Sequence, residues 1–450
     1  MKFLSIAIPT YEMDGKGSEY LEFSFNKLNS QTFKDFEVVV SDHSKDDFIK
    51  NLCEKWSSVL DIKYLRNTID VGSSSSNINN AISNSEGQWI KILFQDDFLF
   101  DDDSLMNTYN SINSNIDSKW FISKCQHSND GFTFYRENMP SWNDRMLFGN
   151  NTISSPSVLT IKNDDSKLLF DKDYIWLMDC DYYQRCYNAF GLFVIINYVT
   201  VVNRTWSNQL TNKISMSVKS NEHISILIKH KIIKDLRKVT LVAMTSVDIE
   251  NTVRAMIHSC KDIVFGDIKF ISDIKPEYLP TQFKYCQIEK MNSIDDYSYN
   301  MVYNLHKFID TEFALVIQAD GYIVNPHMWQ DDFLNYDYIG APWNLPNDDF
   351  SFRDPFNNII RVGNGGFSLR SKKLLSLPTE LNLEWKSYFG YYNEDGFFTC
   401  HNRHLFEKEG CVFAPLDVAK YFSHEAEIPE TYGIEPFGFH GKWSKYLRPL

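Results

Sequence analysis

The chain has 450 residues, a length that suits two ordinary domains better than one. Its 45 basic and 59 acidic residues leave a net charge of −14, which argues against a phosphate-dominated nucleic-acid binder. With 43% hydrophobic residues it has enough apolar material for a sizeable core, yet no apolar run is long enough for a membrane helix.

The longest such run, residues 190–202, is broken by Asn197, Tyr198 and Thr200 and reads as buried structure. The first residues lack the basic, apolar and small-residue succession of a secretory signal. Eight cysteines with no C-x-x-C pair fit reduced thiols. The expectation is a soluble cytoplasmic protein without a transmembrane segment, with peripheral membrane contact and oligomeric state left open.

In chain order, the apolar run 3–8 predicts a strand, Leu21, Phe25 and Leu28 predict a helix over 18–31, and the β-branched run 36–40 predicts a second strand. A helix over 46–56, a strand over 62–65, a helix over 75–82 and a strand over 89–94 continue the alternation. This pattern predicts a mostly parallel sheet with helices on both faces, where ligands collect beyond the carboxyl ends of the strands. Asp42 follows the second strand and Asp96 and Asp97 follow the fourth, so these acids are expected at one mouth.

Residues 224–238 read as a helix closing the first unit. The pattern then restarts with a strand over 239–245, and Asp248 is expected to cap a helix carrying Val253, Met256, Ile257 and Cys260 on its apolar stripe. A strand over 268–271, a helix over 297–308 and a strand over 313–317 follow, the last running into Asp320. The sequence therefore predicts an α/β protein with two domains, 1–235 and 236–450.

Sugar transfer from a nucleotide sugar calls for oxygen ligands to a divalent cation on the diphosphate and for a second carboxylate that takes the proton of the incoming hydroxyl. Asp96 and Asp97 suit the first role and Asp179 the second, although an Asp pair alone is more often a loop or helix cap. Motif order adds to this. Pro9, Thr10 and Tyr11, then Asp42, the segment 70–77, Gln95 with Asp96 and Asp97, the segment 151–158, and Met178 with Asp179 resemble the inverting glycosyltransferases of family two, which have the GT-A fold. The resemblance covers residues 3–232.

It implies that Pro9, Thr10, Tyr11 and Asp42 meet the nucleotide, that Gly72 and Asn77 lie near the diphosphate, and that Gln95, Asp96 and Asp97 face the donor. By the same resemblance Asp96 and Asp97 hold Mn2+ or Mg2+, Asp179 is the catalytic base, the donor is a UDP-sugar, and the acceptor is a glycan or glycolipid. Phe94 stands where the family's D-x-D places an acid, Trp206 where it often carries His, and Ser76 where many relatives carry Arg. These departures weaken the expected hold on the metal and leave Arg204 as a further partner for the diphosphate. His43, beside Asp42, reads as a hydrogen-bonding loop residue.

In the second half, Gly363, Gly365 and Gly366 fall in a short loop that matches neither a P-loop nor a dinucleotide fingerprint. The loop lies between Asp320 and the run Asn393, Glu394, Asp395, an order used by several GT-A families. Residues 239–450 as a whole resemble a less characterised, glycosyltransferase-like domain family, through the stretches 318–322, 338–343, 362–370, 393–395 and 436–441. By analogy of fold, Asp320 would hold a metal with His440 as a further ligand, Asp395 or Glu394 would be the base, and Gly365 and Gly366 would approach the donor. Trp343, Trp385, Tyr388, Phe389, Tyr391 and Tyr392 would either stack on sugar rings or pack in the core.

The leading reading is a bifunctional transferase with two tandem GT-A-like domains. The alternative is one active site in residues 1–235 and a glycan-binding or positioning module behind it. A nucleotidyltransferase is disfavoured, because Pro9, Thr10 and Tyr11 stand where a glycine-rich phosphate loop would follow the first strand.

Overall fold

The apolar N-terminal run forms β1 (Leu4–Thr10), buried along its whole length, and α1 (Gly17–Asn29) turns Leu21, Phe25 and Leu28 inward. β2 (Phe36–Asp42), α2 (Phe48–Trp56), β3 (Ile62–Arg66), α3 (Ser74–Ser83) and β4 (Trp89–Ile92) complete the alternation. The computed structural model describes residues 1–206, 209–386 and 393–441. The chain divides into two compact units, Met1–His230 and Lys231–Leu450.

After β4 the first unit continues through β5 (Phe98–Leu99), α4 (Ser104–Asn113), the hairpin of β6 (Trp120–Ser128) and β7 (Phe134–Asn138), β8 (Leu159–Lys162), α5 (Met178–Phe190) and β9 (Val194–Arg204). α6 (Leu210–Lys213) and α7 (Met216–Lys229) follow. Its nine-stranded sheet has the order β3-β2-β1-β4-β8-β6-β9-β5, with β7 paired to β6. The strands β3, β2, β1 and β4 are mutually parallel, but β8 runs antiparallel to both β4 and β6. The sheet is therefore mixed rather than mostly parallel. Antiparallel neighbours need no crossover helix, and the chain uses this freedom past β4.

The second unit contains β10 (Lys234–Met244), α8 (Ile249–Ser259), β11 (Ile263–Ser272), β12 (Lys284–Gln287), α9 (Ile294–Tyr303), β13 (Phe313–Val316), β14 (Tyr338–Ile339), β15 (Ser368–Ser371) and α10 (Lys372–Glu380). A short helical turn, α11 (Glu394–Gly396), and a small β16 (Ser423–His424) and β17 (Gly438–Phe439) pair lie nearer the C-terminus. Its six-stranded sheet runs β12-β11-β10-β13-β15-β14, again mixed, with β15 antiparallel to β13 and β14. Strand for strand this repeats the path β3-β2-β1-β4-β8-β6 of the first unit.

Two local expectations are corrected. The helix expected over 224–238 ends at Lys229, Lys231 takes a left-handed φ of 58°, and residues 234–238 belong to β10. Asp248 precedes α8, but its side chain makes no capping hydrogen bond and its backbone is left-handed. All eight cysteines are free thiols. Among the described residues no helix is long and apolar enough to cross a membrane.

Candidate active sites

In the first unit a cavity of about 760 Å³ opens beyond the carboxyl ends of β1, β2 and β4. Pro9, Tyr11, Gly72, Asn77, Gln95, Asp96, Asp97 and Asp179 all line it, so most of the expected residues are brought together. Two side chains shape its floor. The Gln95 Oε1 accepts the Tyr11 N–H (2.9 Å) while its Nε2 donates to the Gly17 carbonyl (2.6 Å). The Asn77 Nδ2 donates to the Thr10 carbonyl (2.9 Å), and its Oδ1 accepts the Ser41 hydroxyl (2.6 Å).

Thr10 and Asp42 are not on the lining. Both are fully buried, with the Thr10 hydroxyl donating to Asp42 Oδ1 (3.2 Å) and the Tyr64 hydroxyl to Asp42 Oδ2 (2.8 Å). The nucleotide contact expected of these two residues is thereby corrected to a structural tie between the ends of β1 and β2. His43 likewise bridges to the 69–72 loop, with one ring nitrogen on the Ile69 carbonyl (3.2 Å) and the other on the Gly72 N–H (3.4 Å).

Asp96 and Asp97 differ in exposure and in partners. Asp97 is buried, with Oδ1 accepting the Arg204 N–H (2.9 Å) and Oδ2 accepting the Ser155 hydroxyl (3.2 Å). Burial, and then repulsion from Asp96, push its pKa up to about 7. Asp96 is half-buried, and its Oδ2 accepts the indole N–H of Trp206 (3.2 Å). Burial raises its pKa too. Arg204 also lines the cavity; its Nε donates to the Asp96 carbonyl (3.1 Å) and its guanidinium lies 4.8 Å over the Tyr20 ring. The neighbouring Ser207 and Asn208 of that motif lie outside the described residues.

Asp179 sits in the first turn of α5. Its Oδ2 accepts the Asn151 amide (2.7 Å), Oδ1 accepts the Cys180 N–H (2.8 Å), and burial raises its pKa. Two residues on, Asp181 is bound by Arg185 (2.8 Å), Lys229 (2.7 Å) and His230 (2.9 Å); burial opposes its ionisation, but these partners bring it down to about 2. Glu222 of α7 holds the approach to α5 by accepting the N–H groups of Ile175, Trp176 and Leu177. Motif order did not single out Glu222, since nothing in the sequence pairs a mid-helix Glu with a loop so far upstream.

In the second unit a cavity of about 1030 Å³ lies at the corresponding place, beyond β10 and β13, and is lined by Asp320, Gln318, Tyr297 and His440 among others. His440 Nε2 is 3.2 Å from Gln318 Oε1 and 3.6 Å from Asp320 Oδ1, while Nδ1 is 3.0 Å from the Asn364 amide nitrogen and 3.8 Å from Glu425 Oε1. The glycine loop is packed tightly around this group: a Cβ on Gly366 would lie 2.1 Å from His440 Nε2, and one on Gly365 would lie 1.8 Å from Glu394 Oε1. Gly365 and Gly366 thus serve close packing within the protein.

Glu394 and Asp395 are not on that cavity's lining. Glu394 is buried and accepts a hydrogen bond from the fully buried Arg370 (3.2 Å), which places it in a structural ion pair. Asp395 is half-buried, and burial followed by repulsion from Glu394 raises it to about 7. Trp343 is buried and stacks on Phe352, and Trp385 packs against Tyr299, Tyr303 and Phe397, so both belong to core packing. Tyr388, Phe389, Tyr391 and Tyr392 lie outside the described residues.

Among the described residues no three His, Cys, Asp or Glu side chains gather as a ready metal cage. Asp96 still fits a cation that keeps most of its waters and is shared with a ligand's phosphates, a mode that needs one or two carboxylates.

Acids at the carboxyl ends of parallel strands, facing a cavity, define a ligand-binding α/β protein. Residues 5–161, within the first unit, match the glycosyl transferase family 2 profile. Residues 280–440 match a family described as a protein of unknown function, DUF5672. A stretch of 100 residues is 30% identical to the GalNAc(5)-diNAcBac-PP-undecaprenol beta-1,3-glucosyltransferase of Campylobacter jejuni, covering 22% of this chain and 31% of that protein. Solved structures that resemble part of the chain include S. aureus TarS 1-349 in complex with UDP-GlcNAc (18% identity, TM-score 0.40, covering 50% of this chain and 67% of that one). Another is the mannosyltransferase PcManGT of Pyrobaculum calidifontis in complex with GDP-Man and Mn2+ (14% identity, TM-score 0.38, covering 51% and 64%).

Proposed function

We propose that the first unit transfers a sugar from a nucleotide-sugar donor, a UDP-sugar, to a glycan or glycolipid acceptor, with inversion at the anomeric carbon. The observation that carries this reading is that Asp179, held by Asn151 with a raised pKa, lines the same cavity as Asp96. Asp179 takes the proton of the acceptor hydroxyl while that oxygen attacks the anomeric carbon and the bond to the nucleoside diphosphate breaks. Asn151 aims the carboxylate, and its own Oδ1 is fixed by the N–H groups of Ile153 and Ser154. Asp96 would hold Mn2+ or Mg2+, which when bound neutralises charge on the departing diphosphate. The metal role expected of Asp97 passes to Asp96, because both Asp97 oxygens accept protein hydrogens.

The second unit is, in this proposal, a further GT-A-like transferase domain, which makes the chain bifunctional. Support comes from the shared strand path and from Asp320, which follows β13 as Asp96 follows β4. Asp395, which lies off the lining of that cavity, keeps the role of base in this proposal through its raised pKa alone, with Glu394 its anchored neighbour. The test is nucleoside diphosphate release from a panel of nucleotide sugars by the full chain and by Asp179→Asn and Asp395→Asn. Each substitution is expected to remove one donor activity and spare the other.

A further inference from the structure

Lys91 lies within β4, between β1 and β8, and is only 1% exposed. A lysine so placed is costly, because its amine leaves water for a mostly apolar interior, whereas a methionine of similar length would pack there without that penalty. Among the described residues its Nζ makes one hydrogen bond, donated to the Ser157 carbonyl. Burial lowers the Lys91 pKa to about 7 while Asp97 and Cys125 oppose the fall. As ammonium or as amine, Nζ keeps an N–H for that carbonyl.

The carbonyl belongs to the segment 151–157, which ties two acidic sides of the first cavity together. At its start Asn151 donates to Asp179 Oδ2 (2.7 Å); further on, the Ser155 hydroxyl donates to Asp97 Oδ2 (3.2 Å), and the Ser157 hydroxyl accepts the Phe94 N–H (2.9 Å) just ahead of Asp96. Between them Ser154 takes a φ of 113°, a conformation that residues other than glycine rarely adopt and that persists only where the surroundings hold it. The Asn151 amide (3.1 Å) and the Tyr183 hydroxyl (3.2 Å) hold its carbonyl, and the Asn203 amide (2.7 Å) holds its hydroxyl. Lys91 fixes the far end of the same segment from inside the sheet. β4 therefore leads into Asp96 and Asp97 and, through Lys91, also pins the segment that reaches Asp179.

We propose that Lys91 is a positioning residue for sugar transfer by the first unit, locking the segment 151–157 through the Ser157 carbonyl so that Asn151 and Ser155 hold Asp179 and Asp97 in fixed places across the cavity. This rests on the reading of the first unit as a transferase. Lys91 does not line the cavity and touches neither donor nor acceptor; it acts through the backbone of Ser157. The strained turn at Ser154 is the hinge that would relax if this anchor were lost.

The test is a cycle of Lys91→Met, Asn151→Ala and the double variant in the full chain, read on the nucleoside diphosphate release that Asp179→Asn abolishes. Lys91→Met removes the donor and keeps the length, so Tm is expected to hold while kcat falls by up to about 10²-fold and the KM for the nucleotide sugar changes little. The acid limb of kcat/KM is expected to move to higher pH, as in Asn151→Ala, since a loosened Asn151 hydrogen bond no longer holds the Asp179 pKa down. Cys180 and Tyr183, the titratable neighbours of Asp179, are pushed well above their ordinary values by burial and do not ionise over this range. Because Lys91 and Asn151 act through one contact, the double variant should be little worse than the worse single variant. Lys91→Gln keeps an N–H donor and is expected to stay near native turnover. Native turnover with an unmoved limb in folded Lys91→Met overturns the proposal, as do losses that multiply in the double variant or a loss in Lys91→Gln as large as in Lys91→Met. If both Lys91 variants unfold, Lys91 serves the fold alone and the proposal is overturned while the transferase reading stands. A native chain with no such release from any nucleotide sugar removes both.

Discussion

The indole N–H of Trp206 donates to Asp96 Oδ2 across 3.2 Å. In the second unit, His440 Nε2 stands 3.6 Å from Asp320 Oδ1. Each strand-end acid thus meets a nitrogen from a late segment of its own unit. An indole nitrogen is a donor only, so Trp206 cannot complete a metal shell, and a cation bound as proposed would be shared by Asp96 with the donor and water. Replacing it by Trp206→His is expected to tighten Mn2+ binding in the presence of UDP, as measured by calorimetry. Unchanged or weaker binding would show that position 206 does not face the metal.

Asp179→Asn keeps the hydrogen bond with the Asn151 side chain within reach but removes the proposed base. The expected loss in turnover by the first unit is about 10²–10⁴-fold, the usual worth of a general base. UDP binding should be unaffected, because the proposed mechanism has Asp179 act on the acceptor side. A parallel loss of UDP affinity would place the residue elsewhere in the reaction.

The pH profile follows from the same carboxylate. Burial holds the Asp179 pKa above its ordinary 3.8, and the base works only when ionised. Activity is therefore full above the raised pKa and falls as pH drops through it, so the acid limb of kcat/KM should lie above the ordinary carboxylate range. The Asn151 hydrogen bond lowers that pKa, and Asn151→Ala should move the limb to still higher pH. A limb at or below the ordinary range in the native chain would exclude Asp179 as the base.

Glu394 and Asp395 are adjacent acids with opposite predicted behaviour. Glu394→Ala leaves the fully buried guanidinium of Arg370 without its carboxylate, at a cost of about 3–5 kcal/mol. For a unit of this size that corresponds to a fall in Tm of roughly 6–20 °C, read by calorimetry. Asp395→Asn replaces an acid already raised to about 7 and should leave Tm nearly unchanged. A large Tm loss in Asp395→Asn would reassign it to structure.

The parts of the fold that could be read from sequence were those with a strong period. β1 and β2 are continuous apolar runs, and α1 carries its stripe at Leu21, Phe25 and Leu28. The direction of β8 and β15 was not legible, because a short strand reads the same whichever way it pairs. Residues 234–238 misled because Leu236 among charged neighbours fits a helix as well as the two-residue period of β10, where Asp235 and Arg237 form an ion pair on one face. At the first site, motif order picked out Asp96 and Asp179, which the fold brings to one cavity, but which of two adjacent acids is open depends on long-range partners such as Arg204 and Ser155. Asn364 was not singled out in the sequence, although an Asn two residues before a glycine commonly caps its own loop. Its grip on His440 joins residues 76 positions apart and needed the fold.

The central claim, two transfer sites in one chain, is tested most directly by measuring nucleoside diphosphate release from a panel of nucleotide sugars by the native chain, Asp179→Asn, Asp395→Asn and the double variant. Two donor activities are expected, each lost in one single variant and both lost in the double. If Asp395→Asn retains every activity of the native chain, or if Asp179→Asn alone abolishes them all, the second site is not a transferase.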